Sequence, residues 1–127
     1  MRRSFGLLAV IAAIASGCGY KDENPQAASI VAQAYLNALA AHDAHAVCRV
    51  LAPEVQAAIA RGGTCDQGIL ASLRHRSPRL AVGKVEKIQG PPGNPRFEVA
   101  VRSQPGREIV VGRYGSIWRV VDGGQPQ

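Results

Sequence analysis

Several features common in enzymes and membrane-spanning proteins are missing from this 127-residue sequence. It has no Gly-x-Ser-x-Gly elbow, no phosphate-binding loop, and neither a Cys-x-x-Cys nor a His-Glu-x-x-His motif. Aromatic residues make up 5% of the chain, and none are interleaved among its basic residues as on a nucleic-acid-binding surface. We therefore expect a non-enzymatic protein with no catalytic residue, no metal ion or other cofactor, and no nucleic acid partner.

No apolar run reaches the roughly 20 residues that cross a bilayer, but a shorter one lies near the start. Two arginines precede an apolar run at residues 5–15, which has the length of a signal-peptide h-region. Residues 15–18, Ala-Ser-Gly-Cys, resemble a bacterial lipobox, although Ala15 departs from the preferred leucine. We therefore predict a lipoprotein signal peptide at residues 1–17 and lipidation, including palmitate-type acyl chains, at Cys18.

This signal also predicts where the protein is located. Several acyl chains on Cys18 would hold it on the extracytoplasmic face of the cell membrane, with residues 18–24 as a polar tether. The membrane would then be its first partner. Ala-Ile-Ala at residues 13–15 also fits a general signal peptidase, so plain secretion and an uncleaved anchor are alternatives.

Three cysteines are an odd number for an exported chain. If Cys18 carries the lipid, Cys48 and Cys65 are left as one pair, and an oxidising compartment favours their disulfide. The alternative is two buried free thiols that behave as small apolar side chains.

Helical periodicity fills the first half of the predicted domain. Asn24 and Pro25 begin a helix that continues to about residue 41, Asp43 caps a second, Pro53 opens a third, and residues 64–67 form the capping box of a fourth. The apolar positions of the first helix predict its inner face, which comprises Ala27, Ile30, Val31, Ala34, Tyr35, Ala38 and Leu39.

The apolar period then changes to two. Strands are predicted at residues 80–88, with a bulge near Gly83, then from Phe97, at residues 108–114 and at residues 117–122. Helices followed by an antiparallel meander predict an α+β domain at residues 25–122, in which helices pack on one face of a curved sheet of about four strands. Residues 123–127 are predicted to be a disordered tail.

Two segments resemble the NTF2-like (cystatin-like, cone-shaped) superfamily. Residues 34–43, Ala-Tyr-Leu-Asn-Ala-Leu-Ala-Ala-His-Asp, are similar to its first helix, and residues 116–121, Ser-Ile-Trp-Arg-Val-Val, to its last strand. Small actinobacterial lipoproteins of this superfamily combine a lipobox with two cysteines in the helical half. The resemblance implies a cone in which Tyr35, Tyr114 and Trp118 would line a pocket, although aromatic residues at such positions are often simply core.

Positive charge is concentrated in the second half of the chain, which contains ten basic and four acidic residues from residue 71 onward. Five of them flank the predicted junction between helices and sheet and would contact an anionic surface such as lipid headgroups: Arg74, Arg76, Arg79, Lys84 and Lys87. A solvated sheet face is the alternative explanation. The acids Glu98 and Glu108 are expected to face solvent or to pair with Arg96, Arg102 or Arg107.

His42, Asp43 and His45 form the only cluster of ligand-type side chains, but a third and fourth ligand are not evident, so we predict a capped surface turn and no metal. The function predicted from the sequence is a membrane-anchored, non-catalytic module that binds a small apolar ligand or an envelope protein. Two alternatives remain open. One is a structural accessory domain that guides an envelope partner, and the other is a small lyase or isomerase with a site in the cone.

Overall fold

The computed structural model describes residues 24–73, 75 and 77–124. These residues contain four helices, α1 (Pro25–Ala40), α2 (Ala44–Val50), α3 (Pro53–Ala60) and α4 (Cys65–Ser72), followed by four strands, β1 (Val82–Ile88), β2 (Arg96–Val101), β3 (Glu108–Tyr114) and β4 (Ile117–Asp122). The strands form one antiparallel sheet in the order β1-β2-β3-β4. The predicted α+β class and the four-stranded meander are therefore confirmed.

The predicted signal peptide, Cys18 and all of the predicted tether except Asn24 lie outside the described residues. Within the described part of the chain, no helix is both long and apolar enough to reach across a bilayer.

Side-chain caps begin three of the helices at the predicted residues. Asn24 Oδ1 accepts a hydrogen bond from the Ala27 amide at 2.9 Å, and Asp43 Oδ1 accepts one from the Ala46 amide at 3.1 Å. Thr64 and Gln67 each accept a hydrogen bond from the other's backbone amide at 3.1 Å, which completes the capping box. Local polar chemistry thus places the start of α1, α2 and α4.

The buried face of α1 differs from the predicted one. Ala28, Ala32 and Leu36, spaced four residues apart, are at most 2% exposed, whereas Ile30 is 62% exposed and Ala34 is also exposed. The predicted inner face was therefore wrong at these two positions. Because apolar residues, alanine above all, occur on both sides of this helix, periodicity alone does not select the stripe that packs on the sheet.

One face of the sheet packs against the helices. Phe97, Val99 and Val101 of β2 and Ile109 and Val111 of β3 are 0–4% exposed, and they alternate with residues on the open face. The register of β1 against β2 shifts between residues 82 and 85, which confirms the predicted bulge near Gly83. The helices thus close one side of the sheet and leave the other open.

Polar contacts attach both edges of the sheet to the helical half. The Gln33 side chain of α1 donates to the Leu80 carbonyl at 2.9 Å and accepts from the Val82 amide at 3.0 Å, beside β1. At the opposite edge, the Ala52 amide donates to the Val120 carbonyl at 2.8 Å, next to a parallel bridge between Leu51 and Val120. The position of α1 on the sheet is therefore fixed by hydrogen bonds as well as by packing.

The predicted disulfide is confirmed. It links Cys48 in α2 to Cys65 at the start of α4, with 6.1 Å between the Cα atoms. Cys48 is 5% exposed and belongs to the core, so the bond ties two short helices together beside the main packing layer.

Candidate functional site

A cavity of about 130 Å³ lies between the second half of α1 and the turn that joins β2 to β3. Its apolar wall is formed by Leu36 and Leu39 of α1 with Pro78 and Leu80 from the segment that enters β1. The remaining lining residues are polar, and they comprise Ser77, Gln104 and Arg107. The cavity is thus apolar on one side and carries a single guanidinium on the other.

Arg107 is the unusual member of this cavity because it is only 8% exposed. Its Nη1 donates to Gln104 Oε1 at 2.9 Å, and its buried Nε has no hydrogen-bond partner. Within the described residues no carboxylate lies within ion-pair distance of the Arg107 guanidinium. A buried cation normally requires an opposite charge or a full set of hydrogen bonds, so Arg107 is under-compensated by the part of the chain that the structure describes.

Tyr35 and the residues that follow β4 lie near the Arg107 side chain. Burial raises the pKa of the Tyr35 hydroxyl, the positive charge of Arg107 acts in the opposite direction, and the charge of Asp122 raises it further. A Cβ atom placed on Gly124 would lie 3.1 Å from Arg107 Cγ, and one placed on Gly123 would collide with the Tyr35 hydroxyl. Gly123 and Gly124, predicted as part of a disordered tail, therefore pack on Arg107 and Tyr35, while residues 125–127 lie outside the described part.

The three aromatic residues predicted to line one pocket lie in separate places. Trp118 packs on Phe97, with the ring centroids 5.6 Å apart, and also borders a surface depression of about 370 Å³ near Asn24. Tyr114 extends from the open face of the sheet, and its hydroxyl contacts Glu54 of α3. The structure therefore does not bring Tyr35, Tyr114 and Trp118 together.

Tyr114 belongs to a polar cluster on the open face. Its hydroxyl donates to Glu54 Oε2 at 2.6 Å, which lowers the pKa of Glu54. Burial first, and then the same hydrogen bond, raise the pKa of Tyr114, while Arg96 opposes them. The Arg96 chain crosses Gly112, where an added Cβ atom would lie 3.5 Å from Arg96 Nε. This cluster combines carboxylate, hydroxyl and guanidinium groups, and the buried Nε of Arg96 has no hydrogen-bond partner among the described residues.

The predicted anionic-surface residues do not share one face. Arg79 borders a shallow depression of about 410 Å³ at the C-terminal end of α1, with Asn37, Ala40 and Ala41. Lys84 lies on the open face and forms an ion pair with Glu86 at 2.9 Å. Lys87 pairs with Phe97 in the register, so it projects from the other face of β1. Arg74 and Arg76 lie outside the described residues, and the role of the set stays a prediction.

The histidines contact different partners. His42 Nε2 lies 3.2 Å from the His75 carbonyl oxygen, whereas His45 Nδ1 lies 3.2 Å from Asp66 Oδ2. Asp43, between them in the sequence, uses its side chain to cap α2. Within residues 24–73, 75 and 77–124, no three groups of metal-ligand type come together.

Glu98 and Glu108 were expected to face solvent or to pair with Arg96, Arg102 or Arg107. Both acids lie on the open face, in agreement with the first of these alternatives, and a hydrogen bond to Glu108 raises the pKa of Glu98, with smaller contributions from burial and from the charges of Glu108 and Glu86. Arg107 lies on the other side of the sheet, in the cavity. The expectation that Arg107 pairs with either acid was therefore wrong, because its side chain extends toward the helices.

Sequence reasoning named Arg107 only as a partner for surface acids and missed its burial. The residue follows Gly106 and precedes Glu108, a setting typical of an exposed turn. Its burial depends on Tyr35 and Gly124, which are distant in sequence, so no local pattern marks it.

Comparisons with protein-family models, with curated proteins and with solved structures give no match to this chain. The fold and the cavity define the class of molecule, which is an α+β domain with helices on one face of an antiparallel meander and a small, mostly apolar cavity that contains a buried arginine. The resemblance to the NTF2-like superfamily stays a prediction.

Proposed function

We propose that this protein is an exported, lipid-anchored envelope module of the NTF2-like type, which binds a small ligand in the cavity between α1 and the β2–β3 turn without transforming it. The observation that carries this proposal is the under-compensated Arg107 in an otherwise largely apolar cavity. Ligand sites are typically apolar pockets with a few convergent polar groups, and this cavity has that composition.

The chemistry of the lining favours binding over catalysis. General acid–base catalysis needs a group that gains and loses a proton near neutral pH. The described lining residues comprise aliphatic side chains, one serine, one glutamine and Arg107, and a guanidinium stays protonated in proteins. The Glu54–Tyr114 pair, which has groups of acid–base type, lies away from this cavity.

The arrangement of the cysteines supports export and anchoring. Cys48 and Cys65 are bonded to each other, and disulfides persist mainly in oxidising compartments. Cys18 is left without a partner in this pairing, and α1 starts at residue 25, directly after the predicted tether. Both observations fit a lipidated Cys18 followed by a short spacer.

Metabolic labelling with a radioactive or clickable fatty acid tests the anchor. We expect label on the wild-type chain and none on Cys18→Ser, with Cys48→Ser as the matched cysteine control that keeps the label. Label that persists on Cys18→Ser would show that the anchor is assigned to the wrong residue.

Methyl NMR of the full exported chain in detergent tests the cavity. Benzene, butyramide and sodium butyrate serve as probes, because each is small enough for a cavity of about 130 Å³. We expect at least one probe to shift the methyl signals of Leu39 and Leu80, while those of Leu70, which is 58% exposed, stay unchanged. If none of the three probes shifts Leu39 or Leu80, the binding proposal is wrong.

A further inference from the structure

We propose that the ligand of this cavity is a small monocarboxylate, whose carboxylate binds the Arg107 guanidinium while its carbon skeleton packs on Leu36, Leu39 and Leu80. This inference rests on the proposed binding function and specifies the chemical class of the ligand.

The first argument is the state of the buried charge. Arg107 is 8% exposed, has one neutral side-chain partner, and forms no ion pair with a carboxylate among the described residues. Exposed Lys84, which water can solvate, nevertheless has Glu86 at 2.9 Å. Among the described residues, the buried cation that most needs an anionic partner therefore has no ion pair, whereas an exposed cation has one.

The second argument is the geometry of the donors. Arginine binds a carboxylate best through two parallel N–H···O bonds. Arg107 lines the cavity, Gln104 Oε1 takes one of its N–H groups at Nη1, and the unpaired Nε shows that the described residues do not use the full donor capacity of the guanidinium. Because the Gln104 oxygen accepts from Arg107, the amide NH₂ of Gln104 remains a further donor in the same cavity wall.

The third argument is size and charge. A cavity of about 130 Å³ is close to the ~150 Å³ of an engineered apolar cavity that holds benzene. One guanidinium balances one negative charge, so it matches a monoanion and leaves the second charge of a phosphate dianion without a cation in the cavity. A short-chain carboxylate such as butyrate meets both conditions.

Titration calorimetry on the full chain tests this inference with sodium butyrate, neutral butyramide and sodium phosphate at constant ionic strength. Arg107→Met removes the charge at nearly constant length, and Arg102→Met is the matched control because Arg102 is exposed in the same β2–β3 turn region. We expect Arg107→Met to weaken butyrate binding by about 10- to 100-fold, as for loss of a charge-assisted hydrogen bond. Arg102→Met should bind butyrate as the wild type does.

The wild type alone also decides the question if Arg107→Met folds poorly. Butyrate should bind at least about tenfold more tightly than butyramide, which has a similar shape but no charge. Equal affinity for the two, or phosphate binding as tight as butyrate binding, would overturn the carboxylate assignment. Benzene or butyramide shifts at Leu39 and Leu80 without butyrate binding would also overturn it, while leaving the proposed binding function intact.

A stability measurement without ligand separates a binding role from a structural one. Replacing an uncompensated buried charge by an apolar side chain of similar volume is often neutral or stabilising. We expect the Tm of ligand-free Arg107→Met to equal or exceed that of the wild type, and butyrate to raise only the wild-type Tm. A clear fall in Tm for Arg107→Met with unchanged butyrate affinity would assign Arg107 to structure instead.

Discussion

The two faces of the sheet differ in whether their charged groups have partners. On the open face, Lys84 pairs with Glu86, Glu98 hydrogen-bonds to Glu108, and Tyr114 donates to Glu54. Water reaches these groups, so their pairing adds little stability. On the face covered by helices, Arg107 is buried and has no carboxylate partner within the described residues.

Selection for stability alone would produce the reverse pattern. A buried charge without a partner lowers the free energy of unfolding, and an apolar residue in its place would usually be tolerated. Proteins accept such unfavourable placements mainly at functional sites. The contrast therefore supports the proposal of a ligand site on the covered face.

The largest effect is expected from breaking the disulfide that links helices α2 and α4. Cys48 and Cys65 are 17 residues apart in sequence, and a loop of this length stabilises the folded state by roughly 3 kcal/mol. The double variant Cys48→Ala/Cys65→Ala should lose about that much in urea unfolding. Reduced wild type is the control, and a double variant as stable as the oxidised wild type would contradict this prediction.

A matched pair of valines in β3 compares the two faces directly. Val111 is fully buried and faces the helices, whereas its neighbour Val110 is half-buried on the open face, opposite Glu98. Val111→Ala should lower the free energy of unfolding by about 2 kcal/mol, through lost burial and a residual cavity, and Val110→Ala by less than ~1 kcal/mol. Equal losses in chemical denaturation would show that both faces are packed.

Much of this architecture follows from local sequence. The bounds of β3 and β4 match the predicted residues 108–114 and 117–122, because alternating apolar residues and the Gly115-Ser116 turn define them locally. The caps at Asn24, Asp43 and Thr64 also depend only on neighbours three residues away.

The features that carry the candidate site could not be found in this way. The buried stripe of α1 is one of two apolar stripes, and only contact with the sheet selects Ala28, Ala32 and Leu36. Arg107 becomes buried because α1 supplies Tyr35 and the end of the chain supplies Gly124. These contacts join residues that are distant in sequence, so composition and periodicity do not contain them.

A smaller effect is expected in alkaline solution, at the border of the covered face. Burial keeps the pKa of Tyr35 above its ordinary value, with Arg107 and Asp122 acting in opposite directions. Above about pH 10 the unfolded chain loses this proton first, so stability should fall with rising pH, by at most ~1.4 kcal/mol per pH unit for one proton. Tyr35→Phe should show a shallower decline between about pH 9 and 11. If the Tm of the wild type and that of Tyr35→Phe fall equally steeply with rising pH, this assignment is wrong.

The smallest effect is expected on the open face, at Glu98. The hydrogen bond to Glu108 raises the pKa of Glu98, so this pair favours folding most below the ordinary carboxyl pKa, and its contribution is lost as pH rises through the raised value. In carboxyl-carbon NMR titration, Glu108→Gln should return the pKa of Glu98 toward its ordinary range, and Glu86→Gln should move it less. If the titration midpoint of Glu98 is unchanged in Glu108→Gln, then Glu108 does not raise the pKa of Glu98. The chemical difference between the two faces of the sheet would then depend on Arg107. Glu98 can relieve the repulsion from Glu108 and Glu86 by taking up a proton as pH falls, whereas a guanidinium stays charged, so in the proposed site the buried charge of Arg107 is balanced by the bound carboxylate.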